Sequence, residues 1–379
     1  MLFLASNMAF AQMAKVELAL DYMKHGKLDS SKANIDAAVL ADETKNEIQA
    51  WLVRGVIYKE LYKAREATYH TSSYRDEAAK SLLKAHDLDA HDIQHTQTKQ
   101  INQQINFIAS KYFNDAGKTM DTLHYKQSIA NFEKYIQLQK AIDPNFDPKQ
   151  KELEFCLALI TPFQDAFEDK KNEWEYIMAT PAKKKEFSVY FDMGESYLQK
   201  ALDIDPRSKS ANKNLGLLYY NRGVNLIMNC PVDIGLDTFI TIEAKAEEYF
   251  STARPYMLKA HAVEVTDQTV IQCLMFIYVK LYNKEKVRFY AKLYELEVRK
   301  SKEDKTQAEK YKHLSETEAT EYYIKLVAEV IKELKAEDQK KNLSIDDKVY
   351  QKLSEDVIKD FKGALNKLKA AEQQEKKDK

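Results

Sequence analysis

Residues that form turns are scarce in this sequence. Its 379 residues include 8 glycines and 7 prolines, which is about a third of the average combined share of roughly 12%. Because sheets need turn residues every few positions, this scarcity predicts long helices and few tight hairpins. Hydrophobic residues make up 44% of the chain and charged residues 31%, a composition that predicts a folded protein over most of its length.

The charge and the apolar stretches limit the kinds of partner. The formal net charge is -1, whereas nucleic-acid binding is typical of strongly basic domains. Beyond the N-terminus, no apolar stretch approaches the roughly 18 residues that are needed to cross a bilayer. We therefore expect neither a nucleic-acid partner nor direct membrane insertion.

The first eleven residues, MLFLASNMAFA, form an apolar stretch that ends in AFA. This is the form of a secretory cleavage site, although no basic residue precedes Lys15. We expect residues 1–11 to be a truncated signal peptide, cleaved between Ala11 and Gln12, and the mature chain to be exported to the periplasm or cell envelope. The alternative is an apolar start of the first helix in a cytoplasmic protein.

Three segments end a helical pattern in the same way. Each has Lys-Ala followed by a polar or acidic turn, and they are Leu83–Asp89, Gln199–Asp205 and Leu258–Glu264. Proline follows at Pro206, where a helix must stop. The chain therefore contains an internal repeat.

The beginnings of the repeats also match one another. The segment Trp51–Tyr58 has the spacing W-x-x-L-G-x-x-Y, with Arg54 in place of Leu, and Leu215–Tyr219 has the L-G-x-x-Y part. The same spacing occurs at Leu18–Tyr22 and Leu274–Tyr278. The small residue allows two antiparallel helices to approach, while the Leu and Tyr side chains fill the seam with the next helix.

From about Lys15 to Glu297, these segments resemble the tetratricopeptide repeat family. The resemblance implies an all-α fold, a right-handed α-α superhelix of antiparallel helix pairs, because a single pair cannot bury its apolar face and must stack. With the predicted secretion signal, the chain is similar to periplasmic tetratricopeptide proteins of the Bacteroidota.

One repeat is much longer than the standard motif. From Gly216 to Ala253 there are 37 positions, whereas about twelve separate the corresponding residues of a standard repeat. The long insertion, at about residues 226–245, predicts extended helices joined by a protruding loop. Asp237 is the expected N-cap of the second helix, with Thr238 as the alternative.

The predicted organisation has five parts. They are a signal peptide at 1–11, N-terminal helix pairs at 12–148, an irregular helical insertion at 149–182, C-terminal repeats at 183–300 and charged helices at 301–379.

Two apolar stripes recur at helical spacing in the last part. They are Tyr323, Val327, Val330 and Leu334, and then Leu353, Val357, Phe361, Leu365 and Leu368. They predict a pair of helices that caps the stack, because such arrays need a polar outer end. The alternative is an arm that binds a partner or associates with a second copy.

Motifs for catalysis are weak or missing. His91 and His95 are four residues apart and would share a helix face, so a metal-dependent hydrolase is a minor alternative. However, no Glu follows His91, as a zinc-peptidase helix requires. The sequence also has no nucleophile elbow, phosphate loop or dinucleotide fingerprint. We expect no catalytic residue, metal or cofactor, and no enzymatic activity.

Without motifs for catalysis, the sequence favours a non-catalytic scaffold that binds other proteins. The first helix of each pair lines the concave wall of a superhelix. The residues predicted to line this wall are Lys59, Glu60, Lys213, Leu217, Tyr220, Asn221, Gln272, Phe276 and Lys280, together with Leu52 and Val56. The family resemblance implies that Lys and Asn on this wall hold a carboxylate, and Lys213 with Asn221 is similar to half of such a clamp. A mixed apolar and charged lining favours a protein segment over a small metabolite.

Overall fold

The structure is a computed structural model that describes residues 2–91, 96–121, 124–159, 181–228, 230, 233–303 and 314–377. These residues form helices joined by short turns and contain no strand, which confirms the all-α class. The chain divides into two compact units, Met1–Pro148 (unit 1) and Lys149–Lys379 (unit 2).

Unit 1 is built from three helix pairs. Its described helices are α1 (Leu2–Lys24), α2 (Leu28–Leu40), α3 (Ile48–Arg65), α4 (Ser73–Ala90), α5 (Thr98–Lys118) and α6 (Tyr125–Ile142). Each helix packs against the next one in the chain, and such short connections make neighbouring helices antiparallel.

The close approach within the pair α3/α4 occurs at Gly55. A Cβ atom at this position would lie 2.6 Å from Cδ2 of Leu82, which is too close for any side chain. Ala78 and Leu82 on the facing helix are fully buried. The role predicted for the small residue of the motif is therefore confirmed here.

Unit 2 begins with helical residues 149–159. Its further helices are α7 (Pro181–Ile204), α8 (Lys209–Met228), α9 (Leu236–Val263), α10 (Gln268–Lys280), α11 (Lys284–Glu303), α12 (Glu316–Lys340) and α13 (Asp347–Lys377). The pairs α8/α9, α10/α11 and α12/α13 pack in succession. The arrangement of stacked helix pairs is that of a tetratricopeptide-type repeat fold.

Two glycines fix how α8 and α9 cross. A Cβ atom at Gly216 would lie 2.8 Å from Cγ of Met257, and one at Gly223 would lie 2.6 Å from Cε1 of Phe250. From Gly216 to Gly223 the residue numbers rise along α8, whereas from Met257 to Phe250 they fall along α9. The two helices are therefore antiparallel. The alanines of the three Lys-Ala endings, Ala85, Ala201 and Ala260, are also fully buried.

The C-terminal helices pack against the preceding repeat. All nine residues of the two predicted apolar stripes are buried, and they join residues of α9, α10 and α11 in one hydrophobic cluster. At its centre is His261 on α9, whose ring lies 5.3 Å from the ring of Tyr323 and 6.1 Å from that of Phe361. Helix α13 thus returns to a helix about a hundred residues earlier in the chain.

The long insertion is helical over most of its length. Helix α8 continues to Met228, and α9 begins at Leu236 with Gly235 in the N-cap position. The prediction of Asp237 as the N-cap is therefore wrong. Asp237 lies in the first turn of α9, where a negative charge still favours the positive end of the helix dipole.

Helix α1 runs from Leu2 to Lys24 without a break. It therefore crosses the predicted cleavage position between Ala11 and Gln12, and cleavage there stays a prediction. Among the described residues, no helix combines the length and the apolar character that a bilayer span requires.

Candidate partner-binding face

The predicted wall residues lie in both units. Lys59 and Glu60 belong to α3 of unit 1, whereas the others belong to α8 and α10 of unit 2. The two sets differ in whether their polar groups already have partners within the chain.

In unit 1, the charge of Lys59 is engaged. Its Nζ donates a hydrogen bond to Oε1 of Gln104 at 2.7 Å and lies 3.2 Å from Oε1 of Glu60. The same ammonium lies 5.5 Å from the centre of the Phe107 ring. A ligand that used Lys59 would have to replace these contacts.

The prediction that Leu52 lines an accessible wall is wrong. Its side chain is 1% exposed and belongs to the cluster that contains Ile101 and Ile105 of α5. The next helix pair therefore covers Leu52, and this position is part of the seam between repeats.

Unit 1 also has an open depression of about 610 Å³ between α2, α3 and α4. At its base, Arg54 donates to Asp36 at 2.8 Å, to Glu77 at 3.0 Å and to Ser81 at 2.6 Å. This Arg stands where the standard motif has Leu. Because each of these charged groups already has a partner within the chain, the base of the depression offers little to a ligand.

In unit 2, Leu217 and Tyr220 are packing residues of the predicted wall. Both are partly buried and pack against the main hydrophobic cluster. The Tyr220 ring lies 5.6 Å from the ring of Phe250, and burial raises the pKa of the Tyr220 hydroxyl. They contribute to the seam between α8 and its neighbours more than to an open surface.

Helices α8 and α10 lie side by side at this wall. Cys273 on α10 is partly buried, and burial raises the pKa of its thiol to about 11, while the nearby positive charge of Lys213 on α8 opposes the shift. Cys273 also packs, with Tyr220, against the same cluster. Lys213 and Cys273 are therefore close enough to interact across the two helices.

On this wall, four predicted polar side chains have no partner. In the described part of the chain, Lys213, Asn221, Gln272 and Lys280 form no side-chain hydrogen bond or ion pair. Phe276 lies between Gln272 and Lys280 at helical spacing on α10 and is 41% exposed. We call these five residues the α8/α10 face.

Lys209, one turn before Lys213, provides a contrast. Its Nζ donates to Oε2 of Glu264 at 2.6 Å and to Oδ2 of Asp267 at 2.8 Å. Lys209 thus joins α8 to the turn between α9 and α10. Lys213, one turn later, forms no such ion pair with a described residue.

Sequence reasoning missed a group of exposed apolar side chains beside this face. Among the described residues, thirteen large hydrophobic side chains are exposed, and besides the predicted Phe276 they include Met228, Leu236, Phe239, Ile240, Val279 and Tyr282. A signal was available, because residues 223–242 contain two Asp and no Lys or Arg. That absence of basic residues is unusual in a chain that is 31% charged.

The proposed histidine pair falls partly outside the described residues, since His95 is not among them. His91 follows the last turn of α4, and its Nδ1 lies 2.7 Å from the backbone oxygen of Asp87. The residues that the structure describes contain no group of three metal-ligating side chains.

Comparisons with known proteins give no family. No protein-family model matches the sequence, and no curated protein matches it. Among solved structures, the chain is similar to PilW, a widely conserved type IV pilus biogenesis factor, with 19% identity and a TM-score of 0.26 over 74% of this chain and 90% of that one. It is also similar to the human IFIT1 dimer with m7Gppp-AAAA, with 14% identity and a TM-score of 0.23 over 98% and 93%.

A monomeric IFIT1 mutant with Gppp-AAAA has 13% identity and a TM-score of 0.27 over 98% of this chain and 94% of that one. With TM-scores of 0.27 or lower, these likenesses transfer no ligand or partner to this chain. The helix pairs themselves define the class, which is an all-α protein of stacked antiparallel helix pairs.

Proposed function

We propose that this protein is a non-catalytic scaffold that binds a segment of a partner protein on the α8/α10 face. One observation carries the proposal: four polar side chains that form no hydrogen bond or ion pair with another described side chain lie, together with an exposed phenylalanine, on two adjacent helices. Elsewhere in unit 2, charged side chains such as Lys209 and Lys286 are bound to carboxylates within the chain.

The chemistry of the α8/α10 face suits a peptide better than a small metabolite. The side-chain amides of Asn221 and Gln272 can each donate to and accept from a peptide backbone. The ammonium groups of Lys213 and Lys280 can bind carboxylates. Phe276 provides an apolar contact of the kind that is enriched in the centres of protein interfaces. The expected segment therefore combines an apolar side chain with acidic residues or a terminal carboxylate.

Charge reversal tests this proposal. The tagged chain is captured from its native cells after crosslinking, in wild-type form and as the variants Lys213→Glu and Lys280→Glu. Lys352→Glu is the matched control, because Lys352 is exposed on α13 and also has no ion-pair partner among the described residues. We expect a partner that is lost with both face variants and retained with the control.

The captured partner is then purified, and its binding to the same four proteins is measured by calorimetry. Equal affinity for the wild type and for both face variants would remove the α8/α10 face as the binding surface. Unfolding by heat, followed by circular dichroism, establishes that each variant is folded.

We also propose that the chain acts in the periplasm or cell envelope, after cleavage between Ala11 and Gln12. The support is the apolar stretch that ends in AFA. The intact mass of the protein from its native cells tests this proposal. We expect a chain that begins at Gln12, and a mass that includes residues 1–11 would favour the cytoplasmic alternative.

A further inference from the structure

Helix α9 extends beyond both of its neighbours. Gly216 faces Met257 and Gly223 faces Phe250. This antiparallel register places the end of α8, at Met228, level with about Lys245, close to Glu243. The end of α10 reaches the same level, since the hydroxyl of Tyr282 donates to Oε1 of Glu243 at 2.6 Å. The first two turns of α9, about 10 Å of helix, therefore project past the ends of α8 and α10.

The projecting turns carry an apolar stripe. Leu236, Phe239, Ile240 and Glu243 are spaced i, i+3, i+4 and i+7, so they share one face of α9. This is the face that contacts Tyr282 at Glu243. The exposed fractions of Leu236, Phe239 and Ile240 are 72%, 38% and 53%. The stripe thus continues the packing surface of α9 past the point where α10 ends.

Tyr282 extends the stripe, and its backbone is unusual. It follows α10 with φ of +53°, a left-handed conformation in which glycine is strongly preferred. Its side chain is 71% exposed, so burial does not compensate for this conformation. We define the α9 overhang as Leu236, Phe239, Ile240 and Tyr282, with Met228 at its edge.

Charged side chains lie near both ends of the α9 overhang. Asp233 and Asp237 lie at the start of α9, and Lys284 lies two residues after Tyr282, at the start of α11. All three side chains are exposed, and within the described part of the chain none of them forms an ion pair. An apolar strip with unpaired carboxylates near its tip and an unpaired ammonium near its base is complementary to itself.

We propose that the α9 overhang is the contact between two copies of this chain, related by a two-fold axis. In such an interface the same patch meets itself. Rotation by two-fold symmetry places Asp237 of one copy opposite Lys284 of the other, and the reverse, while the apolar stripes face each other. This inference is independent of the proposed function, because it uses none of the residues of the α8/α10 face.

The charges favour a second copy over a lipid surface. Membrane-surface helices generally combine their apolar face with Lys and Arg, which contact the lipid headgroups. Residues 223–242 contain two Asp and neither Lys nor Arg, so the projecting turns lack these contacts. A second copy supplies both the apolar cover and the missing opposite charge.

The primary test is the mass of the full chain in solution, measured by sedimentation velocity over a wide range of protein concentration. We expect the wild type to shift from one chain to two as the concentration rises. Ile240→Glu introduces charge into the centre of the stripe and should weaken dimerisation at least about tenfold. Ile324→Glu is the control, since Ile324 is 39% exposed on α12 and lies outside the overhang; it should leave dimerisation unchanged.

Charge reversal then tests the two-fold arrangement. Asp237→Lys alone places two lysines opposite each other, and Lys284→Glu alone places two carboxylates opposite each other, so each variant should dimerise several-fold more weakly. An equimolar mixture of the two variants should recover the wild-type affinity, because both contacts between unlike copies are then attractive. Loss of folding cannot produce this recovery.

Three outcomes would overturn the inference. They are a wild type that stays monomeric at every concentration, a dimer that Ile240→Glu leaves intact, and a mixture of the two charge variants that associates as weakly as each one alone. Binding of a monomeric wild type to phosphatidylcholine vesicles, lost in Ile240→Glu, would assign the overhang to a membrane instead. The partner capture by the α8/α10 face can succeed or fail independently of these results.

Discussion

Arg75 and Asp115 form an ion pair that is almost completely closed to solvent in unit 1. The side chain of Arg75 is 1% exposed and that of Asp115 is 6% exposed. The Arg75 guanidinium also lies 4.1 Å from the centre of the Tyr112 ring and donates to Oδ1 of Asn131 at 3.2 Å. The pair therefore connects α4 to α5, while the bond to Asn131 extends the contact to α6.

Removal of one partner should be costly. Asp115→Ala leaves a buried guanidinium without its counter-charge, so we expect the free energy of unfolding of unit 1 to fall by about 3–5 kcal/mol. Asp42→Ala is the control, because it breaks the exposed pair between Lys45 and Asp42 and should change this free energy by less than about 1 kcal/mol. Urea unfolding measures both, and equal effects would show that the Arg75–Asp115 pair does not stabilise unit 1.

His261 should make stability depend on pH. It is fully buried, and burial lowers the pKa of its imidazole from 6.5 to about 4, although Asp267 opposes the shift. The unfolded chain therefore binds a proton that the folded chain excludes between these values. The contribution of neutral His261 to the free energy of unfolding of unit 2 is fully present above about pH 6.5. It is lost as the pH is lowered towards 4, by up to about 3 kcal/mol.

The variant His261→Phe tests this pH dependence. Neither ring nitrogen of His261 has a hydrogen-bond partner in the described part of unit 2, so the substitution should raise the free energy of unfolding at pH 7 by about 1–3 kcal/mol. It should also flatten the loss of stability between pH 6.5 and 4. Denaturant unfolding at several pH values gives both quantities, and parallel curves for the two proteins would contradict the assignment.

Two glycines should respond to alanine in opposite directions. At Gly223, an added Cβ would lie 2.6 Å from the Phe250 ring and 3.0 Å from the backbone oxygen of Ala246. We expect Gly223→Ala to destabilise unit 2 by about 1–3 kcal/mol, because α8 and α9 must separate. At Gly363 in α13, no atom lies within 4 Å, so Gly363→Ala should stabilise the helix by about 1 kcal/mol.

Thermal unfolding of the two glycine variants, followed by circular dichroism at 222 nm, checks both directions. Destabilisation of similar size by both substitutions would mean that a general loss of helix flexibility matters more than the close approach of α8 and α9.

The sequence predicted the features that local patterns control. The spacing of the motif predicts close contacts at Gly55 and Gly216, and an added Cβ would lie 2.6 Å and 2.8 Å from the facing side chains. The stripe from Tyr323 to Leu334 was identified from its period, and all its residues are buried. In each case a single helix face determines the outcome, so the period of the pattern was sufficient.

The features that were missed depend on contacts between distant segments. Lys59 is engaged by Gln104, which is 45 residues further along the chain, and Leu52 is covered by the next helix pair. The pattern of one helix does not record which neighbour will cover it. The sequence also does not reveal the α9 overhang, for a related reason. The overhang exists only because the first turns of α9 project past the nearby ends of α8 and α10.

Site-specific photo-crosslinking tests the central claim most directly. A photoreactive aromatic amino acid replaces Phe276 in the full chain in its native cells, and in a second protein it replaces Ile324, which has a similar exposed fraction on α12. We predict that position 276 forms a covalent adduct with another protein, that Lys213→Glu abolishes the adduct, and that position 324 does not form it. The same adducts from both positions, or none from position 276, would contradict the assignment of the α8/α10 face as the binding surface.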